Sequence, residues 1–160
     1  EEGSIYKLGV SLYTNDEIEQ VLNRFDFIDL IQIPFNIFDN INQKGIILSK
    51  IKEKGIEVHT RSVFLQGLIF SDKLPSNLIS LKPYINILNK LSTKYSMTNS
   101  EIALNYCLNQ SNIDKVLVGV DTKNQLMKNI NGLKYLSLDI IDEINSIYVK
   151  NTKLLNPVNW

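Results

Sequence analysis

Four short apolar runs, each followed by a helical pattern, constrain this chain more than any other feature. They are IYKLGVS at 5–11, FIDLIQI at 27–33, IEVHTRS at 56–62 and KVLVGV at 115–120. Each is too short for an ordinary helix and is rich in Ile, Val, Phe or Tyr, so each reads as a strand. None shows the alternation of a half-exposed hairpin, and the four read as parallel strands covered on both faces.

The intervening segments carry helix signals. Thr14-Asn15-Asp16-Glu17 is a capping run ahead of Ile18, Val21 and Leu22. After the second strand, NIFDN leads to Ile46, Ile47 and Ile51, with Gly55 as the C-terminal stop. A loop holding Pro75 and Pro83 precedes helices at 85–95 and from Asn99 or Ser100 to Gln110. Asp121-Thr122 opens a helix with Leu126 and Ile130 on one face, ending near Gly132, and Ser137 caps a last helix over 138–149. The predicted order is β-α-β-α-β-α-α-β-α-α in a single domain spanning residues 1–160.

Repeated βα units imply a parallel sheet, either doubly wound or part of a (β/α)8 barrel. Doubly wound nucleotide folds announce themselves with a glycine-rich first turn. Here Gly9 stands alone and no Gly-x-Gly-x-x-Gly or Gly-Lys-Ser/Thr run occurs, which favours the barrel. A complete barrel needs about 250 residues, and 160 residues with four strands make half of one.

Charge and cysteine usage narrow the function classes. Seventeen Lys and Arg balance seventeen Asp and Glu, so neither nucleic acid nor a membrane surface is an expected partner. No apolar run approaches the roughly 20 residues that a bilayer span requires. Cys107 is the single cysteine, so no disulfide framework exists and a cytoplasmic location is expected.

In a barrel, binding groups gather at the C-terminal ends of the strands. Those ends carry Ser11, then Gln32, then Arg61 with Ser62, then Gly119 and Asp121. Period-two alternation places a polar side chain last on each of the first three strands. A lone polar strand end is ordinarily a loop anchor, but three in phase point to a binding mouth.

At these residues the sequence resembles the aldo-keto reductase family. EEGSIYKLGVS is similar to the family's Gly-Lys-Ile segment and Gly-Val-Ser strand, and IDLIQIPFNIFD to the strand holding a cofactor glutamine. VHTRSVFLQGL resembles the seventh strand with its Ser-Pro-Leu turn. VLVGVDTKNQLMKNI resembles the eighth strand and the helix of the adenosine site, and NPVNW resembles the family's C-terminal end. The resemblance implies the C-terminal half of a TIM barrel, strands five to eight, from an enzyme that reduces an aldehyde, ketone or sugar carbonyl with NADP or NAD as cofactor. It implies that Ser11 and Gln32 hold the nicotinamide carboxamide, and that Arg61 replaces a ring-stacking tyrosine. Ser62 and the turn after it would pass the pyrophosphate. Gly119, Asp121, Thr122 and Gln125 would frame the adenosine phosphate, with Asn129 near adenine.

Several positions depart from the family pattern. Leu12 replaces an asparagine and Val63 a proline. The lysine and arginine that serve the 2′-phosphate fall at Gly119 and Gln125, which leaves Lys123 as the nearby cation. The catalytic Asp, Tyr, Lys and His belong to the other half of the barrel, so no catalytic residue is assigned and the chain alone is expected to be inactive. The implied partners are a small carbonyl substrate and the missing N-terminal half-barrel, and open sheet edges are expected to drive self-association. The alternatives are a half-barrel that binds a nucleotide or a protein without redox chemistry, or a truncated product. His59, Cys107 and Trp160 read as packing residues, and Asp26 or Asp29 as a cap or loop anchor.

Overall fold

The computed structural model describes residues 3–160, so Glu1 and Glu2 of the EEGSIYKLGVS segment lie outside the described residues. The element order follows the predicted one. It runs β1 (Gly9–Ser11), α1 (Asn15–Arg24), β2 (Leu30–Pro34), α2 (Ile41–Glu53), β3 (Glu57–Arg61), α3 (Lys82–Tyr95), α4 (Asn99–Leu108), β4 (Lys115–Val116), α5 (Lys123–Asn131) and α6 (Leu138–Asn145). The four strands form one parallel sheet in sequential order, with β1 and β4 at its edges.

The strands are shorter than the apolar runs. β1 begins at Gly9 rather than at residue 5, and β2 is displaced to Leu30–Pro34. β4 ends at Val116 rather than at 120 because β3, its neighbour, ends at Arg61. The last ladder bond runs from Leu117 N to Thr60 O at 2.7 Å, after which Ser62 turns away with φ 62°. Residues 118–120 therefore have no strand to pair with.

The expectation of two covered faces is corrected. Along β2 and β3, Ile31, Ile33, Val58 and Thr60 are buried, whereas Leu30, Gln32, Glu57, His59 and Arg61 are only partly buried. One face packs beneath the helices and the other carries Ser11, Gln32, His59 and Lys115 in register. On this open face Glu57 pairs with Lys7, with His59 Nε2 at 2.8 Å and with Lys115 at 3.1 Å. Those hydrogen bonds, led by Lys7, hold its carboxyl down to about 2.

Helix ends are built as capping chemistry requires. Thr14, Thr98 and Thr122 each form a reciprocal capping box with the residue three positions on. Thr98, not Ser100, thus opens α4, and Pro83 lies in the first turn of α3, where a missing N–H costs nothing. Ser137 stands at the start of α6 without a side-chain capping bond. That helix stops at Asn145 rather than 149, and the Ile144 and Ile147 carbonyls at its end accept from Nδ2 of the buried Asn40 at 2.9 Å each. The core beneath the sheet includes Phe35 stacked on Tyr106 at 5.7 Å. Cys107 is fully buried there and its thiol is pushed up by that burial. Asp29 anchors a loop by accepting from Leu8 N at 2.8 Å, and Trp160 donates its indole N–H to Leu154 O at 3.0 Å.

Candidate functional site

The predicted site residues fall into two neighbouring groups. The first is the mouth of the open face. Ser11 and Gln32 are direct register partners on adjacent strands, so their side chains stand side by side. The Gln32 side-chain amide makes no hydrogen bond among the described residues, while the Gln32 backbone carbonyl accepts from Leu12 N at 2.9 Å. Arg61 reaches back across this mouth. Its Nη2 lies 3.4 Å from Ser11 Oγ and donates to Leu12 O at 3.2 Å, and its guanidinium sits 4.2 Å from the Tyr13 ring centroid.

The second group is a cleft of about 720 Å³ between the turn after β3 and the start of α5. Ser62, Gly119, Asp121, Gln125 and Asn129 all line it. Ser62 thus shares one concave surface with residues 57 or more positions further along the chain. The turn at 62–67 is conformationally unusual: Ser62, Leu65 and Gln66 adopt positive φ of 62°, 47° and 51°, and Gly67 follows at 85°. Left-handed backbone at non-glycine residues costs about 1 kcal/mol or more each and concentrates at ligand-binding turns. Asn36 helps hold this turn by donating from Nδ2 to Ser62 O at 3.3 Å. A β-carbon added at Gly119 would meet nothing within 4 Å, so open space lies above that backbone.

Thr122 behaves differently from its neighbours. Its hydroxyl caps α5 by accepting from Gln125 N at 3.1 Å, and it does not line the cleft. Gln125 lines the cleft, but its Oε1 accepts from Asp121 N at 2.7 Å and Thr122 N at 3.3 Å, leaving its Nε2 donors available. Lys123, the cation expected near this site, is not among the lining residues. Lys128 is, as are the aromatic pair Phe64 and Phe70, whose rings lie 5.5 Å apart. Lys128 stands three positions after Gln125 on α5, so the two share a helix face.

Sequence reasoning also missed a smaller cleft of about 300 Å³ between the start of α1, the start of α2 and the C-terminal tail. Asp39 and Lys44 line it. The Lys44 ammonium donates to Tyr13 O at 3.1 Å and Asn15 Oδ1 at 3.2 Å and lies 3.5 Å from Asp39. Burial pushes the Asp39 carboxyl up to about 6 against the opposing pull of Lys44. Among the described residues no cluster of His, Cys, Asp and Glu has the makings of a metal site, and no helix is long and apolar enough to cross a membrane.

The chain resembles aldo-keto reductase AKR11C1 from Bacillus halodurans, with a TM-score of 0.73 and 22% identity over 94% of this chain and 55% of that one. A putative 2,5-diketo-D-gluconic acid reductase B gives a TM-score of 0.70 at 16% identity, over 97% of this chain and 50% of that one. A probable voltage-gated potassium channel subunit beta from Oryza sativa subsp. japonica is 19% identical over 96% of this chain and 55% of its own length. The chain thus spans about half the length of these relatives. The model of the Aldo/keto reductase family matches residues 1–149, and the chain belongs to that family.

Proposed function

We propose that this chain is the cofactor-binding, C-terminal half of a barrel oxidoreductase that reduces a carbonyl with a nicotinamide dinucleotide. The observation that carries this reading is the convergence of Ser62, Gly119, Asp121, Gln125 and Asn129 on one cleft. A sequential parallel sheet whose two edges are unpaired among the described residues supports the half-barrel reading, as does a chain about half as long as its relatives.

The donor set fits such a cofactor. A carboxamide offers one acceptor and two donors, and a neighbouring hydroxyl and amide match them. Ser11 and Gln32 supply those groups side by side. The 62–67 turn brings backbone close to the cleft, and the open space above Gly119 leaves room for a phosphate or ribose. Phe64 and Phe70 offer apolar surface within the same cleft. When bound, such a dinucleotide would supply a hydride to the carbonyl carbon. Within this chain, Ser11 and Gln32 would orient the ring end and the cleft residues would hold the adenosine end. Proton donation to the carbonyl oxygen is assigned to residues of the other half-barrel.

A binding role without redox chemistry is the second reading. It is favoured by Arg61, whose guanidinium engages Ser11, the hydroxyl assigned to the carboxamide. The channel-subunit name of the rice relative is consistent with it. The deciding experiment follows nicotinamide absorbance at 340 nm while the full-length protein carrying this chain is given a panel of aldehydes, ketones and sugars. Carbonyl-dependent oxidation that is lost in Gln32→Ala supports the oxidoreductase. Dinucleotide binding without turnover on any carbonyl favours the binding role.

A further inference from the structure

His59 stands directly beside Gln32. The two are register partners on β3 and β2, and Ser11 and Lys115 continue the same row on the outer strands. Neighbouring strands lie about 4.8 Å apart. The Gln32 amide therefore has the Ser11 hydroxyl on one flank and an imidazole on the other. Unpaired among the described residues, that amide can turn either its oxygen or its nitrogen toward a ligand.

One nitrogen of the imidazole is already committed. Nε2 lies 2.8 Å from Glu57 Oε1. The Glu57 carboxyl is held down to about 2 by Lys7, His59 and Lys115. It is thus ionised and can only accept, so Nε2 carries the donated proton. Nδ1 has no partner among the described residues. In a neutral ring Nδ1 is an acceptor, and in a charged ring it is a donor. The charged groups around the imidazole are Glu57 and Arg61 on the same face of β3, Lys115 on β4 and Lys7 ahead of β1. From β2 the neutral Gln32 stands beside it.

We propose that His59 is a positioning residue, whose Nδ1 sets which end of the Gln32 amide faces the nicotinamide carboxamide. This rests on the reading above in which Gln32 orients the ring end of the cofactor. With the imidazole neutral, Nδ1 accepts from Gln32 Nε2, and Oε1 is turned out to receive the carboxamide N–H. With the imidazole charged, Nδ1–H donates to Oε1 and the amide turns over. Gln32 then presents donors where the ligand's amino group also donates. Histidine is the side chain that ordinarily changes charge between about pH 5 and 8. Cofactor affinity is thereby tied to pH, with tighter binding on the alkaline side. One such hydrogen bond is worth about threefold to tenfold in affinity.

The test is fluorescence titration of the full-length protein with NADH and NADPH from pH 8 to pH 6, reading whichever binds more tightly. The unmodified protein is compared with His59→Asn, His59→Leu, Gln32→Ala and the double variant His59→Leu, Gln32→Ala. The side-chain oxygen introduced by His59→Asn stands where Nδ1 does and carries no titrating proton. The expected result is at least a threefold loss of affinity from pH 8 to pH 6 in the unmodified protein relative to His59→Asn. In that comparison, titration of the ligand and of remote groups such as Asp39 cancels. At pH 8, His59→Asn binds within twofold of the unmodified protein and His59→Leu at least threefold more weakly. In the Gln32→Ala background, His59→Leu changes affinity by less than twofold. The proposal is overturned if the pH profiles of the unmodified protein and His59→Asn coincide. It is also overturned if His59→Leu costs as much without Gln32 as with it, which marks His59 as a packing residue. Should His59→Leu fail to fold, the His59→Asn pH profile decides alone. If the folded unmodified protein binds neither dinucleotide, the cofactor reading itself fails and the proposal with it. Binding with coincident pH profiles sinks only the proposal.

Discussion

The guanidinium of Arg61 rests 4.2 Å from the centroid of the Tyr13 ring while its Nη2 spans the two residues before that ring, Ser11 and Leu12. A strand-end cation is thereby tied to the hydroxyl assigned to the cofactor carboxamide. This pairing accounts for an arginine at the end of β3: a planar cation stacks on an aromatic face and satisfies a strand-end carbonyl at once.

Under the proposed cofactor role, the charge of Arg61 sets a redox preference. An oxidised nicotinamide ring is positive and the reduced ring is not, so a neighbouring cation disfavours the oxidised form. At an effective dielectric of about 20 and a separation of about 4 Å, the repulsion is ~4 kcal/mol before solvent screening. Arg61→Tyr is expected to raise affinity for the oxidised dinucleotide relative to the reduced one by at least threefold, measured by equilibrium titration of both forms. A ratio unchanged within twofold contradicts this and assigns Arg61 to binding an anionic group instead.

Asn40 is expected to carry more stability than its place in a turn suggests. It is fully buried, its oxygen accepts from Asn42 N at 3.0 Å, and the two Nδ2 hydrogens serve the Ile144 and Ile147 carbonyls at 2.9 Å, with the Ile37 carbonyl at 3.2 Å. Asn40→Ala removes a helix cap and strands buried carbonyls, at a cost of about 2–4 kcal/mol. Asn40→Asp keeps the cap but loses the donors, so it is not expected to restore stability. Denaturant unfolding checks both, and a loss below about 0.5 kcal/mol for the alanine variant would contradict the bond network.

How much of this was legible in the sequence depends on range. The order of elements followed from apolar runs and capping residues such as Thr14 and Thr122, because those signals are local. Strand ends were not legible, since pairing of Val118 depends on where β3 stops at Arg61. The open face was hidden because Gly9, Leu30 and Ile28 interrupt the polar series that Gln32, Glu57 and His59 complete. Lys128 was not legible because an exposed lysine on a helix carries no sequence signal of the cleft it borders, and the Asp39–Lys44 pair was not because its cleft closes only with the distant C-terminal tail.

Stability toward acid is expected to depend on Glu57 and Glu101. Hydrogen bonds from Lys7, His59 and Lys115 hold Glu57 at about 2, and the Thr98 backbone with Lys134 holds Glu101 at about 2, both below the ordinary 4.5. Carboxyls depressed by folding contribute stability that is present above pH 4.5 and lost as pH falls toward 2. Asp39 acts oppositely: raised from 3.8 to about 6, it favours folding below 3.8 and withdraws that contribution as pH rises through 6. The gap in unfolding free energy between the protein and Glu57→Gln is expected to be widest above pH 5 and to shrink toward pH 2. A gap independent of pH would contradict the Glu57 cluster.

Gly119 separates fold from site. Since a β-carbon there meets nothing within 4 Å, Gly119→Leu is expected to unfold within about 0.5 kcal/mol of the unmodified protein. It should nevertheless weaken nucleotide binding at least tenfold by filling the cleft. A folded Gly119→Leu protein with unchanged affinity would move the nucleotide elsewhere.

The central claim is that the cleft between the 62–67 turn and α5 holds the adenosine end of a nicotinamide dinucleotide. Its most direct test is the dissociation constant of the reduced dinucleotide for full-length protein, read from nicotinamide fluorescence, in the unmodified form and with Gly119→Leu. The account predicts saturable binding in the micromolar range that is weakened at least tenfold by the substitution. No saturable binding to a folded protein at millimolar dinucleotide would contradict it.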